Sequence, residues 1–363
     1  MIIVKVLSVV GARPNFMKIA PIMREMRKHK EFEPVLLHTG QHYDYQMSDV
    51  FFKQLQLDEP DYFLGVGSGT QAEQTAKIML ALEPILQKER PEVVLVVGDV
   101  TSTFASAFTA FKLGIKVAHV EAGLRSNDWR MPEEGNRVLT DRISKYLFTP
   151  SEDAEANLAR EGITKGIHFV GNVMIDSLVT ALPEARKTNT LSSLGLEEKG
   201  FGLVTLHRAE NVDDAKNLKK VIKLVEKASE YEEVVFPVHP RTRKKLEETG
   251  LIKRVRANKR IRFLEPLGYL EFLELESKAK FVVTDSGGIQ EETTFLRVPC
   301  LTVRISTERP VTVSVGTNTI VDFDEKLYAK CLEEIAAGTY KKGGVPKYWD
   351  GRTAERICKA LLK

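Results

Sequence analysis

Short runs of Val, Ile and Leu recur along the chain, separated by longer stretches in which apolar residues return every third or fourth position. The runs are Ile2–Val10, Pro34–His38, Val93–Val97, Val117–Val120, Leu203–Leu206, Val234–Val238 and Phe281–Thr284. Most are continuous rather than alternating, which marks strands covered on both faces and hence parallel sheets built from βαβ units. The stretches between them predict amphipathic helices, clearest over Pro14–Lys28, Gln71–Lys88 and Ala215–Ser229. The pattern thins between Leu182 and Gly200, a polar stretch, and a strong strand begins at Phe201. This predicts two doubly wound α/β domains, residues 1–171 and 172–346, with a hinge near Gly171-Asn172. A last amphipathic helix, Arg352–Leu362, lies in a C-terminal segment 347–363 that is expected to return to the first domain. No repeat and no low-complexity segment interrupts the alternation.

Composition narrows the class. The 363 residues suit two domains, and a hydrophobic content of 43% can fill two cores. Lys and Arg total 53 against 50 Asp and Glu, a net charge of +3 that argues for neither a nucleic acid nor a membrane surface. Cys300, Cys331 and Cys358 are far apart and form no Cys-x-x-Cys, so they read as reduced core thiols of a cytoplasmic protein. The apolar start Met1–Val10 has no basic region before it and no small-residue cleavage site after it, which predicts a first strand rather than a signal peptide. No apolar run reaches membrane-spanning length. Neither His-Glu-x-x-His nor His-x-His is present, and no bound metal is expected. The dinucleotide fingerprint, the Walker loop and Gly-x-Ser-x-Gly are likewise absent, which lowers NAD, ATP and a hydrolase nucleophile and leaves no cofactor expected.

Ligands of open parallel sheets sit beyond the carboxyl ends of the strands, and the polar residues of this chain crowd there. Gly11-Ala-Arg13-Pro14 follows the first strand, with Lys18 about one turn into the next helix. Cations near a helix N-terminus oppose its dipole, so an anion nearby would account for both. Asp285-Ser286-Gly287-Gly288 follows Phe281–Thr284 and has the form of a phosphate cradle, the glycines letting backbone N–H groups approach an anion at a helix mouth. Glu292, one turn further, suits the hydroxyls of a ribose. Asp99, after Val93–Val97, fits a helix cap or a catalytic carboxylate equally well. Glu121, Glu133, Glu134 and Arg137 cluster after Val117–Val120. His207-Arg208 and His239-Pro-Arg241 end two strands of the second domain. Anion binders in both domains, with carboxylates concentrated in the first, indicate a GT-B-like arrangement of two Rossmann-like domains facing across a cleft around a nucleotide-activated sugar. The residues alone do not separate transfer of the sugar from its isomerisation.

Gly11-Ala-Arg-Pro-Asn-Phe-Met-Lys-Ile-Ala-Pro21, Thr39-Gly-Gln-His42, Gly98-Asp-Val-Thr-Ser-Thr103, His119-Val-Glu-Ala-Gly-Leu-Arg125, Pro132-Glu-Glu-Gly-Asn-Arg137, Thr205-Leu-His-Arg208 and Thr284-Asp-Ser-Gly-Gly-Ile-Gln-Glu-Glu292 together resemble the non-hydrolysing UDP-N-acetylglucosamine 2-epimerases. The resemblance implies a GT-B fold, usually a homodimer, that interconverts UDP-N-acetylglucosamine and UDP-N-acetylmannosamine. It places Arg13, His207, Ser286, Gly287, Gly288 and Glu292 at nucleotide-binding positions. It places Asp99, Glu121, Glu133 and His207 in the catalytic group, with Lys18 and Arg137 beside them. Bacterial members often bind a second, activating UDP-N-acetylglucosamine. Gln41, Glu134, Arg208 and His239 match parts of that site, whereas Tyr43-Asp44 and Ser68-Gly69 depart from its usual polar and Arg positions. The stretch from Arg125 to Pro132 also looks shorter than in common bacterial members. The competing readings are a GT-B glycosyltransferase using a UDP-sugar, a hydrolysing epimerase that releases N-acetylmannosamine, and a nucleotide-sugar sensor without turnover.

Overall fold

The computed structural model describes residues 3–40 and 57–363, with Arg13 described through its backbone only. The chain divides into two compact units, Met1–Ser177 with Lys347–Lys363, and Leu178–Pro346. The first unit carries a seven-stranded sheet of β1 (Val4–Val10), β2 (Phe32–His38), β3 (Tyr62–Phe63), β4 (Val93–Val97), β5 (Lys116–Val120), β6 (Tyr146–Thr149) and β7 (Ile167–Phe169). All neighbours pair in parallel, in the order β3-β2-β1-β4-β5-β6-β7. The second unit has a parallel six-stranded sheet of β8 (Phe201–Thr205), β9 (Glu233–Pro237), β10 (Ile261–Leu264), β11 (Phe281–Thr284), β12 (Cys300–Thr302) and β13 (Asn318–Ile320), ordered β10-β9-β8-β11-β12-β13. Each order reverses once, between β1 and β4 and between β8 and β11, and such reversals open the crevice that receives ligands.

The continuous apolar runs have the cause their pattern implied. In the second unit Val204, Phe236 and Val283 pack into one core, while Leu203, Val235 and Val282, one position earlier on the same strands, pack into another on the opposite face. Successive strand residues point to opposite faces, so two covered faces leave no polar position. In the first unit Leu7, Val9, Val94 and Val96 share one core, and the alternate residues Val6, Val10, Val93, Leu95 and Val97 are buried as well. The expected strands are present with shifted ends: β8 runs Phe201–Thr205 and β9 runs Glu233–Pro237, in the register that pairs Phe201 with Glu233. The strands β3, β7, β12 and β13 carry only two or three residues, β10 is interrupted by Arg262, and β6 has only Leu147-Phe148 between Tyr146 and Thr149, so none stands out as an apolar run.

The boundary between the units lies inside the helix Val173–Ala185, beyond the Gly171-Asn172 turn. Ser177 Oγ donates to Met17 O, and Asp176 accepts from the N–H groups of Thr353 (3.1 Å) and Ala354 (2.8 Å), so the first turn of that helix is tied to the first unit. Asp176 thereby caps the C-terminal helix Thr353–Leu361. Trp349 Nε1 donates to Pro150 O at 3.0 Å, and Arg356 Nη1 to Val170 O at 3.1 Å, docking the returning segment. Gly171 has φ +94°, and a Cβ there would stand 2.1 Å from Tyr348 O, so only glycine lets the two stretches pass. Cys300, Cys331 and Cys358 are free and buried. Among the described residues no helix is long and apolar enough to cross a membrane, and no cluster of three or more His, Cys, Asp or Glu residues could hold a metal ion.

Candidate active site

In the first unit the chemistry gathers at the ends of β4 and β5. Val97 lies opposite Val120, and Gly98 N bonds Val120 O at 3.0 Å, so Asp99 and Glu121 leave adjacent strand ends beside the reversal. Glu121 is buried and holds the left-handed backbone conformation, φ +70°, which is uncommon for a residue with a side chain. Lys18, from the helix Arg13–Met26, donates to Glu121 Oε2. Gly98 lies against this pair: a Cβ there would come within 3.0 Å of Lys18 Nζ and 3.6 Å of Glu121 Oε2. The surrounding turn is fixed by His119, whose Nδ1 lies 2.6 Å from Asp141 Oδ1 and whose Nε2 lies 2.8 Å from Gly98 O. Asp141 Oδ2 also accepts from Gly123 N at 3.0 Å and meets Arg125 Nη1 at 2.7 Å.

Asp99 is half-buried, and its Oδ2 accepts from Arg137 Nε at 2.9 Å and Nη2 at 2.6 Å. Arg137 comes from the helix Pro132–Ile143, one turn after Glu134, and its Nη1 donates to Glu134 Oε2 at 2.6 Å. Glu134 further accepts from Ser126 N, Ser126 Oγ and Asn127 N at 2.8–2.9 Å. Burial pushes the Glu134 carboxyl up, but these N–H groups and Arg137 outweigh it and hold the group below the usual carboxylate range. Both Glu134 oxygens are thus engaged inside the unit. Glu133 lies half-buried in the first turn of the same helix. Gln41 lies outside the described residues, as do Tyr43 and Asp44 and the side chain of Arg13.

In the second unit Thr205 of β8 lies opposite Thr284 of β11, which brings the His207 and Ser286 loops side by side. Asp285 joins them. Wholly buried, it accepts from His207 N (3.0 and 3.1 Å), Arg208 N (2.9 Å) and Asn211 Nδ2 (3.0 Å). The His207 and His239 rings lie 5.1 Å apart, and the exposed His239 caps the helix Pro240–Glu248 by accepting from Arg241 N at 3.2 Å. Ser286 precedes the helix Gly287–Leu296, whose mouth is open. An added Cβ would meet only Arg309 side-chain atoms at 3.9 Å from Gly287, and only Ser286 Oγ at 4.0 Å from Gly288.

Arg309 stands at that mouth, and a cluster of charges adjoins it. Arg309 Nε donates to Glu291 Oε1 at 2.7 Å, and Arg304 forks onto Glu308 with two bonds of 2.8 Å. Burial pushes Glu308 up, but Arg304, Arg309 and Arg208 together hold it well below the usual carboxylate range. Burial, and then Arg304, lower the Arg208 guanidinium from its ordinary value. Glu292 is buried one turn inside the helix, where Oε1 accepts from Tyr269 OH at 3.0 Å. Burial pushes its carboxyl up to about 7, against hydrogen bonds from Tyr269 and Glu276. Arg304, Arg309, Tyr269, Glu276 and Asp141 were not legible as parts of a site. Arg309, Tyr269, Glu276 and Asp141 meet partners on other elements, and Arg304 with Glu308 reads along the chain as an ordinary charged pair four residues apart.

Two doubly wound units, one with carboxylates held by cations at its strand ends and one with an open helix mouth beside Arg309, define an α/β protein of GT-B-like fold. The fold is shared with a lipopolysaccharide outer core galactosyltransferase at a TM-score of 0.59 and 12% identity over 99% of both chains. Residues 24–362 match the family model described as UDP-N-acetylglucosamine 2-epimerase. The chain is 46% identical to a UDP-N-acetylglucosamine 2-epimerase homolog of Methanococcus maripaludis, over 98% of this chain and 99% of that one. It is 38% identical to the UDP-2,3-diacetamido-2,3-dideoxy-D-glucuronate 2-epimerase of Pseudomonas aeruginosa, over 99% of both. The Methanocaldococcus jannaschii UDP-GlcNAc 2-epimerase, solved in complex with UDP-GlcNAc and UDP, superposes with a TM-score of 0.89 at 44% identity, over 99% of both chains. The chain belongs to the UDP-N-acetylglucosamine 2-epimerase family.

Proposed function

We propose that the protein interconverts UDP-N-acetylglucosamine and UDP-N-acetylmannosamine without net hydrolysis. The observation that carries this reading is the pair of adjacent strand ends in the first unit, where Glu121 is held by Lys18 and Asp99 by Arg137. Two carboxylates in unlike settings suit proton removal and proton return at one carbon. The nucleotide half of the substrate is assigned to the second unit. There the Ser286-Gly287-Gly288 mouth and its arginines suit the diphosphate, and Glu292 the ribose. Arg13 and His207 join this group through the family resemblance.

The C2 proton of the sugar is not next to a carbonyl, so the C1–O bond must break first. The UDP oxygen leaves with the bonding pair, an oxocarbenium-like centre forms, and the neighbouring C2–H becomes acidic. A carboxylate among Asp99, Glu121 and Glu133 takes that proton, which leaves 2-acetamidoglucal and UDP. Return of a proton to the other face of C2, with re-formation of the C1–O bond, yields the epimer; nothing is oxidised or reduced overall. Stabilisation of the leaving diphosphate is the main electrostatic task. The reading extends to a cytoplasmic homodimer that supplies an activated sugar for polysaccharide synthesis. Exposed Leu80, Phe111 and Leu139 on the helices Gln71–Glu89, Thr101–Lys112 and Pro132–Ile143 support self-association.

Proton NMR of UDP-N-acetylglucosamine with enzyme alone in heavy water tests the reaction. The expected product is UDP-N-acetylmannosamine with deuterium at C2. Free N-acetylmannosamine accumulating with UDP would assign the hydrolysing reaction. An unchanged substrate that is consumed only when a sugar acceptor is added would assign transfer.

A further inference from the structure

Behind Glu292 lies a second acid. Glu276, on the helix Tyr269–Lys278, is wholly buried. Among the described residues no N–H or O–H donor reaches either of its oxygens. Its carboxyl meets the carboxyl of Glu292, which is itself 3% exposed and bonded to Tyr269 OH. The other titratable groups that act on the pair are Tyr269 on the helix of Glu276 and Glu291 on the helix of Glu292. Cys300 on β12 also faces Glu276. None of these is a cation.

Two buried carboxyls in contact, with no cation between them, do not both ionise; they hold one proton between them, as carboxylate dyads do. We propose that Glu276 is a positioning residue for nucleotide binding: its shared proton fixes the Glu292 carboxyl beneath the helix mouth and makes nucleotide affinity fall as the pair ionises. This rests on the proposed reading of Glu292 as the ribose acid. With the proton in place, an O–H···O bond from one carboxyl to the other and the Tyr269 hydroxyl set the Glu292 rotamer before ligand arrives. The single negative charge then remains to accept from ribose hydroxyls. When the proton is lost, two adjacent anions repel, and the Glu292 carboxyl leaves its place. Affinity is therefore full while the pair keeps its proton and is lost as pH rises past the point where the pair gives it up.

Glu276→Gln replaces the shared proton by amide N–H groups that donate to Glu292 at every pH. UDP affinity is measured by calorimetry across the neutral and mildly alkaline range for the wild-type protein and for Glu276→Gln. Titration of the UDP phosphate is common to both, so the ratio of their affinities is the readout. The wild type is expected to weaken against Glu276→Gln by up to about tenfold per pH unit once the pair ionises. Parallel profiles would overturn the proposal. If Glu276→Gln does not fold, wild-type titrations on the alkaline side of the fall in affinity, in two buffers of different ionisation enthalpy, serve instead. Proton uptake on binding is expected, and its absence would equally overturn the proposal. Glu292→Ala separates the two ideas: if it leaves UDP affinity unchanged, the nucleotide-site reading itself fails, whereas weakened binding with parallel Glu276 profiles removes only the shared proton.

Discussion

Lys18 Nζ, on the first helix of the chain, is bonded to Glu121 Oε2 at the end of β5, and the two side chains are only 9% and 3% exposed. A buried ion pair of this kind is weak evidence for net stability, but removing one partner strands the other charge. Lys18→Ala should therefore destabilise the first unit by about 3–5 kcal/mol, read by urea unfolding. Glu121→Gln keeps the shape of the pair and removes the carboxylate. It should lower turnover by roughly 10²–10⁴ while UDP affinity stays near the wild-type value. A Glu121→Gln protein within a few fold of wild-type turnover would remove Glu121 from proton transfer.

Asp285 holds the His207-Arg208 turn against the Ser286 loop through three donors. Alanine at this position leaves the two backbone N–H groups without their acceptor, at about 1–3 kcal/mol for each that water does not rescue, and leaves the Asn211 amide only Val303 O. Asp285→Ala should thus weaken UDP binding and lower stability together, and Asp285→Asn, which keeps one acceptor oxygen, should fall between it and the wild type. Calorimetry with UDP and thermal unfolding of the same samples decide the point. Wild-type UDP affinity in Asp285→Ala would show that the turn does not position the nucleotide site.

The strand ends that carry the chemistry were legible because β4, β5, β8 and β11 are central strands. Both of their faces are covered, so their runs are mostly apolar, with His119 the one buried imidazole inside β5, and the charged or imidazole residues that follow them, Asp99, Glu121, His207 and Asp285, stand out. The short edge strands left no such trace. Partnerships across the sheet were not legible either. Arg137 reads as one more charge in a polar helix until β4 brings Asp99 to it, and Glu276 reads as an ordinary helix acid until the helix Gly287–Leu296 sets Glu292 against it. Such pairs depend on which elements the topology makes neighbours, and residue spacing along the chain does not encode that.

Asp176 predicts a pH dependence of opposite sign to the usual carboxylate case. Burial pushes its carboxyl up to about 6, and the N–H groups of Ala354 and Thr353 only partly counter this. In the unfolded chain the group returns to the ordinary aspartate value near 4. Between those values the folded protein keeps a proton that the unfolded chain has released, so stability falls as pH rises through the window from about 4 to 6 and is flat above it. A shift of about two units corresponds to roughly 3 kcal/mol at most. Asp176→Asn removes the titrating group while leaving one oxygen to cap the helix Thr353–Leu361. The difference in unfolding temperature between wild type and Asp176→Asn should therefore shrink in the wild type's disfavour as pH climbs from 4 to 6, then hold constant to pH 8. Thermal unfolding followed by tryptophan fluorescence, to which Trp349 in the docked C-terminal segment contributes, reads this out. A difference that stays constant across the whole range would show that Asp176 does not titrate in that window.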